Sequence, residues 1–465
     1  MEPTSKPPFE QLVTEGGDDR LDLRENGYNK YHVRPTEYEG VFNRASCTCS
    51  PFSEDGYHAA KTLYDRLDDE TFDEVRRQHA ARIKELLNLP GCDRFDVFFA
   101  PSGSDLCYYP LLFSQLIYPH RSIFNVITCP EELGSGSNTA FAGKYYSDRN
   151  QFGDATKTGT AIDPELKISC ATFSARDDKG RIINHRDEIE SIIHEKYYSH
   201  SVIANIVIGS KSGIENNASI LANTPEDVLW TVDLCQFRAS RVLINGLIGM
   251  NACVMLTGSK FYHSPPFCAV LLVPKTVTQR FKPAVESSVT PFGQVFSAFD
   301  IPDEFGDIRS LLPEFRNYGL LLRWEAALEE MTSFAELDTY AVNRQILQWN
   351  QYIVGRMKAS PYFELMPGQE DTNKTIISFR VKSKHDFLSH DELANMYKQL
   401  CTRNHERLEN ANRILFGQPV KYGDQSFIRL ALSSTDVRNF VRQGADYTND
   451  DRLIEIIEQY VEASE

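Results

Sequence analysis

Five short apolar runs constrain this chain more than any other feature: Phe95 to Ala100, Ser122 to Cys129, Ser201 to Ile208, Leu229 to Asp233 and Ala252 to Thr257. Each has the length of a strand but lacks the alternation of a strand wetted on one face. They therefore read as strands buried on both faces of a mostly parallel sheet. The first is closed by Pro101-Ser102-Gly103-Ser104 and followed by a helical pattern from Leu106 to Tyr118, so strand, glycine turn and helix form the unit. Helices must cover both faces of such a sheet, which predicts an α/β domain from about residue 60 to 305. Two helical patterns precede the first strand, one through Ala60, Leu63 and Leu67, the other through Val75, Ala80, Ile83 and Leu86, closing at Pro90-Gly91.

Residues 1–59 are rich in Pro, Gly, Asn and charge and show little periodicity. They read as an N-terminal arm that lies on the rest of the chain, with part of it lining a substrate entrance. Beyond the sheet, Ile308 to Phe334 forms a long amphipathic helix pattern and Ile346 to Met357 another. The strand-like runs Thr375 to Lys382 and Phe427 to Leu432 flank a helical Asp391 to Arg407, so residues 306–465 predict a smaller α+β domain with a linking helix. No repeat, low-complexity tract or heptad series supports a scaffold or filament.

Composition narrows the partners. The net charge of −16 offers no basic excess for a phosphate backbone, so nucleic acid is not expected. Val202 to Ile208 and Cys253 to Leu256 are far shorter than the ~18 apolar residues a membrane span needs. The N-terminus runs into the acidic Glu15 to Asp19 rather than an apolar segment, so no secretory signal is read and the cytosol is the expected compartment. Ten scattered cysteines, with Cys47-Thr48-Cys49 the one close pair, fit neither a disulfide framework nor a zinc site.

The chain has no GxxxxGK[ST], and Gly134-Ser135-Gly136-Ser137-Asn138-Thr139 lacks the third glycine of a dinucleotide fingerprint. His194 and His200 are too far apart for a HExxH pair. What remains is an ordered set at strand ends: Pro101-Ser102-Gly103-Ser104, then Asp233-Leu234-Cys235-Gln236, then Thr257-Gly258-Ser259-Lys260. Singly, these are a turn, a helix cap and a surface lysine. Together they match one chemistry. A Ser-Gly-Ser turn entering a helix presents N–H groups and hydroxyls to a phosphate. A buried carboxylate can hold a protonated ring nitrogen, and a lysine in a mostly apolar pocket can form an imine. Those are the needs of pyridoxal phosphate.

The sequence resembles the fold-type I pyridoxal-phosphate-dependent enzymes, closest in motif arrangement to their class V aminotransferase and cysteine desulfurase branch. The resemblance is firm over residues 95–300 and rests on Asp-x-x-Gln followed by Thr-Gly-Ser-Lys. It implies that Lys260 is the Schiff-base lysine, that Asp233 pairs with the pyridinium nitrogen and that Gln236 hydrogen-bonds the ring oxygen. Thr257 and Ser259 join Ser102, Gly103 and Ser104 on the phosphate. Ser287-Ser288-Val289-Thr290-Pro291 resembles the segment through which the neighbouring subunit reaches the phosphate, which implies a homodimer with shared sites and Thr290 as a donor in trans. Arg429, in Ser426-Phe427-Ile428-Arg429-Leu430-Ala431, resembles the arginine that grips a substrate carboxylate.

The sequence departs from the family in two places. Where the family sets an aromatic ring or histidine over the cofactor, Thr128 to Gly136 carries Glu132 and a glycine-rich loop. Glu132 is expected to face the cofactor and to offer a second base. The loop that holds a desulfurase's reactive cysteine has none, and Cys401 lies in a helical pattern, so cysteine desulfuration is disfavoured. The resemblance thus implies an enzyme acting on a small amino-acid substrate through an external aldimine. An aminotransferase is the first reading, and a lyase, β- or γ-replacement or cyclisation enzyme the alternative.

Overall fold

The computed structural model describes residues 6–384, 386–422 and 425–464. Its centre is a seven-stranded sheet formed by β2 (Phe95–Ala100), β3 (Ile123–Thr128), β4 (Ile168–Phe173), β5 (Ser201–Val207), β6 (Leu229–Asp233), β7 (Cys253–Thr257) and β8 (Ala269–Pro274). A shorter strand, β1 (Val41–Arg44), precedes these in the chain. The order across the sheet is β2-β8-β7-β6-β5-β3-β4. Only β8 runs against its neighbours, pairing antiparallel with both β2 and β7, while the pairs from β7 to β4 are parallel. The carboxyl ends of β2, β7, β6, β5 and β3 therefore open on one edge, where ligands of open α/β sheets bind.

Both faces are covered. Phe98, Leu111, Ile203 and Met255 pack on one side of the sheet, and Val97, Phe99, Ile206, Val254 and Trp324 on the other. Two strands go beyond the five runs. β4 is a half-exposed edge strand of mixed polarity, and β8 is a fully buried run.

A second sheet, in the order β1-β11-β12-β10-β9, is formed by β9 (Phe363–Leu365), β10 (Ile376–Val381), β11 (Arg413–Tyr422), β12 (Gln425–Ala431) and β1. β1 pairs parallel with β11, with Val41 opposite Arg413 and Arg44 opposite Phe416. The N-terminal segment is thus stitched into the C-terminal sheet. Arg44 secures it: the buried guanidinium binds Asp450 through Nε at 2.8 Å and Nη2 at 2.7 Å, and Asp436 through Nη1 at 2.9 Å. A fully desolvated cation needs this much compensation to be tolerated.

The expected helix from Ile308 to Phe334 is shorter in the structure. The chain forms Gly306–Arg309, breaks, and resumes as Tyr318–Ala335, capped by the Asn317 side chain. Pro313 lies in the break; it lacks an N–H and disfavours helical geometry at Leu312. Among the described residues no helix is long and apolar enough to cross a membrane. All ten cysteines are free.

Candidate active site

A cavity opens at the carboxyl edge of the large sheet and is closed from above by β12 and the N-terminal segment. Ser102, Gly103, Ser104, Glu132, Asp233, Gln236, Thr257, Ser259, Lys260 and Arg429 all line it. They come from the ends of β2, β3, β6 and β7 and from within β12, so the three separate motifs converge on one space. Thr290 is exposed on a 3₁₀ turn, Thr290–Gln294, and does not line the cavity of its own chain.

The turn after β2 is fixed by its own side chains. Asp105 Oδ2 accepts from the Ser102 N–H at 2.9 Å and from the Ser102 hydroxyl at 2.7 Å. Burial, with Asp18 close by, lifts Asp105 to about 6. Gly103 and Ser104 precede the first helical turn, where backbone N–H groups lack intrahelical acceptors. Gly103 packs closely: a Cβ there would lie 3.0 Å from Cys235 Sγ and 3.3 Å from Thr257 Cγ2, so the turn lies directly against the ends of β6 and β7. The Thr257 hydroxyl donates to the Cys235 carbonyl at 2.7 Å, tying those two strand ends together.

Asp233 ends β6, its Oδ1 accepting the Cys235 N–H at 2.8 Å. Gln236 Nε2 donates to the Cys47 carbonyl at 3.0 Å, while its buried Oε1 has no partner. Three non-glycine residues near these strand ends, Cys129, Phe237 and His263, have positive φ, the kind of backbone strain that gathers at functional sites.

Arg429 is fully buried in β12. It fits because its neighbour across the β11 ladder is Gly417; a Cβ there lies 2.9 Å from Arg429 Cβ and 3.0 Å from its Nε. The guanidinium donates to the Gln418 carbonyl at 2.5 Å, Thr48 Oγ1 at 3.2 Å and the Lys211 carbonyl at 3.4 Å, while Nε is buried against Gly417 without an acceptor. A guanidinium that lines a cavity is the side chain best suited to meeting a carboxylate there.

Glu132 differs from the expectation. It lines the cavity, but both oxygens are occupied: Ser210, Ser212 and Tyr422 hydroxyls donate to it, as does the Ser212 N–H at 2.9 Å, and Arg176 lies 3.5 Å away. Burial alone raises its pKa, yet Arg176 and the hydroxyl donors outweigh burial and hold the carboxyl below its usual range. A carboxylate with its lone pairs filled is a strut rather than a free base.

Sequence reasoning missed several lining residues. Arg20, Tyr31, Cys47 and Thr48 come from the N-terminal segment, part of which was expected at the entrance. Arg20 is held by Asp18 at 2.6 Å, touches Ser102 Oγ at 3.1 Å, and stacks over the Phe267 ring at 4.4 Å. Gln418 and Lys211 also line the cavity. Burial, with Arg429 and Lys260 nearby, lowers the Lys211 pKa to about 7. One sequence signal pointed to Lys211: Gly209-Ser210-Lys211 repeats the Gly258-Ser259-Lys260 tripeptide beyond another buried strand.

No family model matches the sequence, and no curated protein matches it. Solved structures do. A NifS-like protein from Rickettsia africae is 12% identical, with a TM-score of 0.55 over 90% of this chain and 99% of its own. A phosphoserine aminotransferase from Cytophaga hutchinsonii is 13% identical, with a TM-score of 0.53 over 90% and 99%. A C-DES structure with glycine covalently linked to its PLP cofactor is 11% identical, with a TM-score of 0.55 over 92% and 99%. The chain has the fold of these proteins. That is the fold-type I architecture implied by the sequence resemblance, here recovered over nearly the whole length of each neighbour.

Proposed function

We propose that this chain is a pyridoxal 5′-phosphate-dependent enzyme acting on an amino acid, with aminotransfer as the reaction. The observation that carries the reading is the convergence of Lys260, Asp233 and the Ser102-Gly103-Ser104 turn on one cavity. The residues fit the cofactor: a closely packed Ser-Gly-Ser turn, a carboxylate at a strand end, and hydroxyls at Thr257 and Ser259. When bound, the cofactor supplies an electron sink for charge developing at the substrate Cα.

This chain's own residues do the rest. Lys260 would hold the cofactor through Nζ, and its amine, when free, would move the proton at the substrate Cα. Asp233 keeps a ring nitrogen protonated, and Gln236, with one amide N–H on Cys47, has a second to offer the ring oxygen. Ser102, Gly103, Ser104, Thr257 and Ser259 hold the phosphate. Arg429 fixes the substrate carboxylate, and with it the bond at Cα that breaks. Turnover that depends on a keto acid separates aminotransfer from the lyase, replacement and cyclisation alternatives.

The presence of two lysines in the cavity makes the deciding experiment specific. Borohydride reduction of the yellow holoenzyme, followed by peptide mapping, is expected to place the pyridoxyl label on Lys260. A label on Lys211 or any other lysine removes the assignment.

The reading extends to a homodimer in which Thr290 reaches the phosphate of the neighbouring subunit. Its exposure leaves it available to a partner. Mixing Lys260→Ala with Thr290→Ala is expected to restore activity, because each hybrid dimer then holds one site with both lesions and one with neither. No recovery between variants shown to exchange subunits defeats the shared site.

A further inference from the structure

The turn that carries Lys211 is fixed on every side except one. The Ser210 and Ser212 hydroxyls and the Ser212 N–H bind the buried Glu132. The Gly209 and Ser210 N–H groups reach the Ile214 carbonyl at 2.8 and 3.1 Å, and the Gly213 N–H returns to the Ser210 carbonyl at 2.9 Å. The Lys211 side chain projects from this frame into the cavity, beside Arg429 and within electrostatic reach of Lys260 and Asp233. A lysine on a rigid turn inside a cavity is a positioned donor, unlike one on a solvated surface.

The charges around the cavity give it a purpose. Its lining cations are Arg20, Lys211, Lys260 and Arg429, and its lining carboxylates are Glu132 and Asp233. Arg20 is already chelated by Asp18, and Glu132 by Arg176 and three hydroxyl groups. In the reading above, Lys260 and Asp233 are engaged by the cofactor. Lys211 lies beyond β5, whereas the hydroxyls and N–H groups assigned above to the phosphate lie beyond β2 and β7, across β6 in the strand order. Two neighbouring cations, Lys211 and Arg429, therefore face a substrate whose α-carboxylate neutralises only one of them. Adjacent like charges are costly, which is part of what lowers the Lys211 pKa, and a second anion arriving with the ligand offsets that cost.

We propose that Lys211 is a second anion-binding residue of the substrate site, and that the substrate is an amino acid with an acidic group on its side chain. This rests on the cofactor and Arg429 assignments proposed above, and it names the substrate class for that site.

The test uses isosteric pairs. Holoenzyme is titrated with aspartate against asparagine, glutamate against glutamine, and O-phosphoserine against serine, following the visible band of the cofactor. The acidic member of at least one pair is expected to bind on the order of 10- to 100-fold more tightly, the worth of a charge-assisted hydrogen bond. Preference within the phosphoserine pair alone assigns a phosphoryl group; preference within the other pairs assigns a carboxylate. Lys211→Gln is expected to erase that ratio and Lys211→Arg to keep most of it. The same contrast is expected without turnover, as calorimetric heat from glutarate but not butyrate that Lys211→Gln abolishes. Equal binding of acid and amide by the wild type overturns the proposal, as does a Lys211→Gln variant that weakens both alike. If that variant does not fold, the wild-type ratios and Lys211→Arg decide. A pyridoxyl label on Lys260 without acid preference sinks this inference alone. Failure to find any lysine-bound cofactor sinks the earlier reading, while the glutarate comparison still reports on Lys211.

Discussion

Asp233→Asn is expected to keep the cofactor and lose turnover on the order of 10²- to 10³-fold, the range seen when one preorganised electrostatic partner is removed from an active site. The amide has nearly the volume of the carboxylate, and its oxygen can still accept the Cys235 N–H that Asp233 Oδ1 holds at 2.8 Å. Packing at the end of β6 is therefore preserved. What changes is the group offered to the cavity: the carboxylate's negative charge is replaced by a neutral amide. In the proposed site that charge keeps a ring nitrogen protonated, so stabilisation at Cα is expected to fall with it. Visible absorbance and thermal unfolding check that cofactor and fold persist, and the activity assay reads the loss. Wild-type turnover in Asp233→Asn removes the residue from the proposed site.

Asp233 was legible because motif and strand end coincide in one stretch of sequence. The same holds for the turn through Ser102 to Ser104 and for Thr257 to Lys260. An apolar run states where a buried strand stops, and the residues just past it line the carboxyl edge of the sheet. β6 begins and ends where its run does, and β2 likewise. β8 is as apolar as the others, yet nothing within Ala269 to Pro274 tells that it runs antiparallel between β2 and β7. β4 escaped for the opposite reason: an edge strand half open to solvent needs no apolar run.

The wall contributed by distant segments was less readable. Thr48 follows β1, which adds to the edge of β11, and Arg20 is held at the cavity by Asp18 and Ser102; both placements depend on tertiary packing. Polar composition marked residues 1–59 as an arm but not where it docks. Arg429 could be singled out by its strand context, whereas Gly417, which lets it lie flat against β11, has no signature of its own.

Glu132 shows how a residue can line a cavity while serving the fold. Glu132→Gln is expected to destabilise the protein by about 3–5 kcal/mol, the cost of breaking a buried ion pair by removing one partner. The carboxylate accepts from three hydroxyl groups and one backbone N–H, and Arg176 has no other carboxylate beside it among the described residues. An amide in its place turns an NH₂ toward groups that are already donors and leaves the guanidinium buried without its counter-charge. The damage reaches the site, because Ser210 and Ser212 frame Lys211 and Tyr422 joins β11 to the same point. The pH dependence separates this strut from a general base. Its folded pKa lies below the ordinary 4.5, so its stabilisation is fully present above 4.5 and is lost as pH falls through the folded value. Denaturant midpoints of the wild type and Glu132→Gln are expected to differ most at neutral pH and to converge as the buffer is taken below 4.5. A variant as stable as the wild type at pH 7 but inactive returns Glu132 to the role of catalytic base.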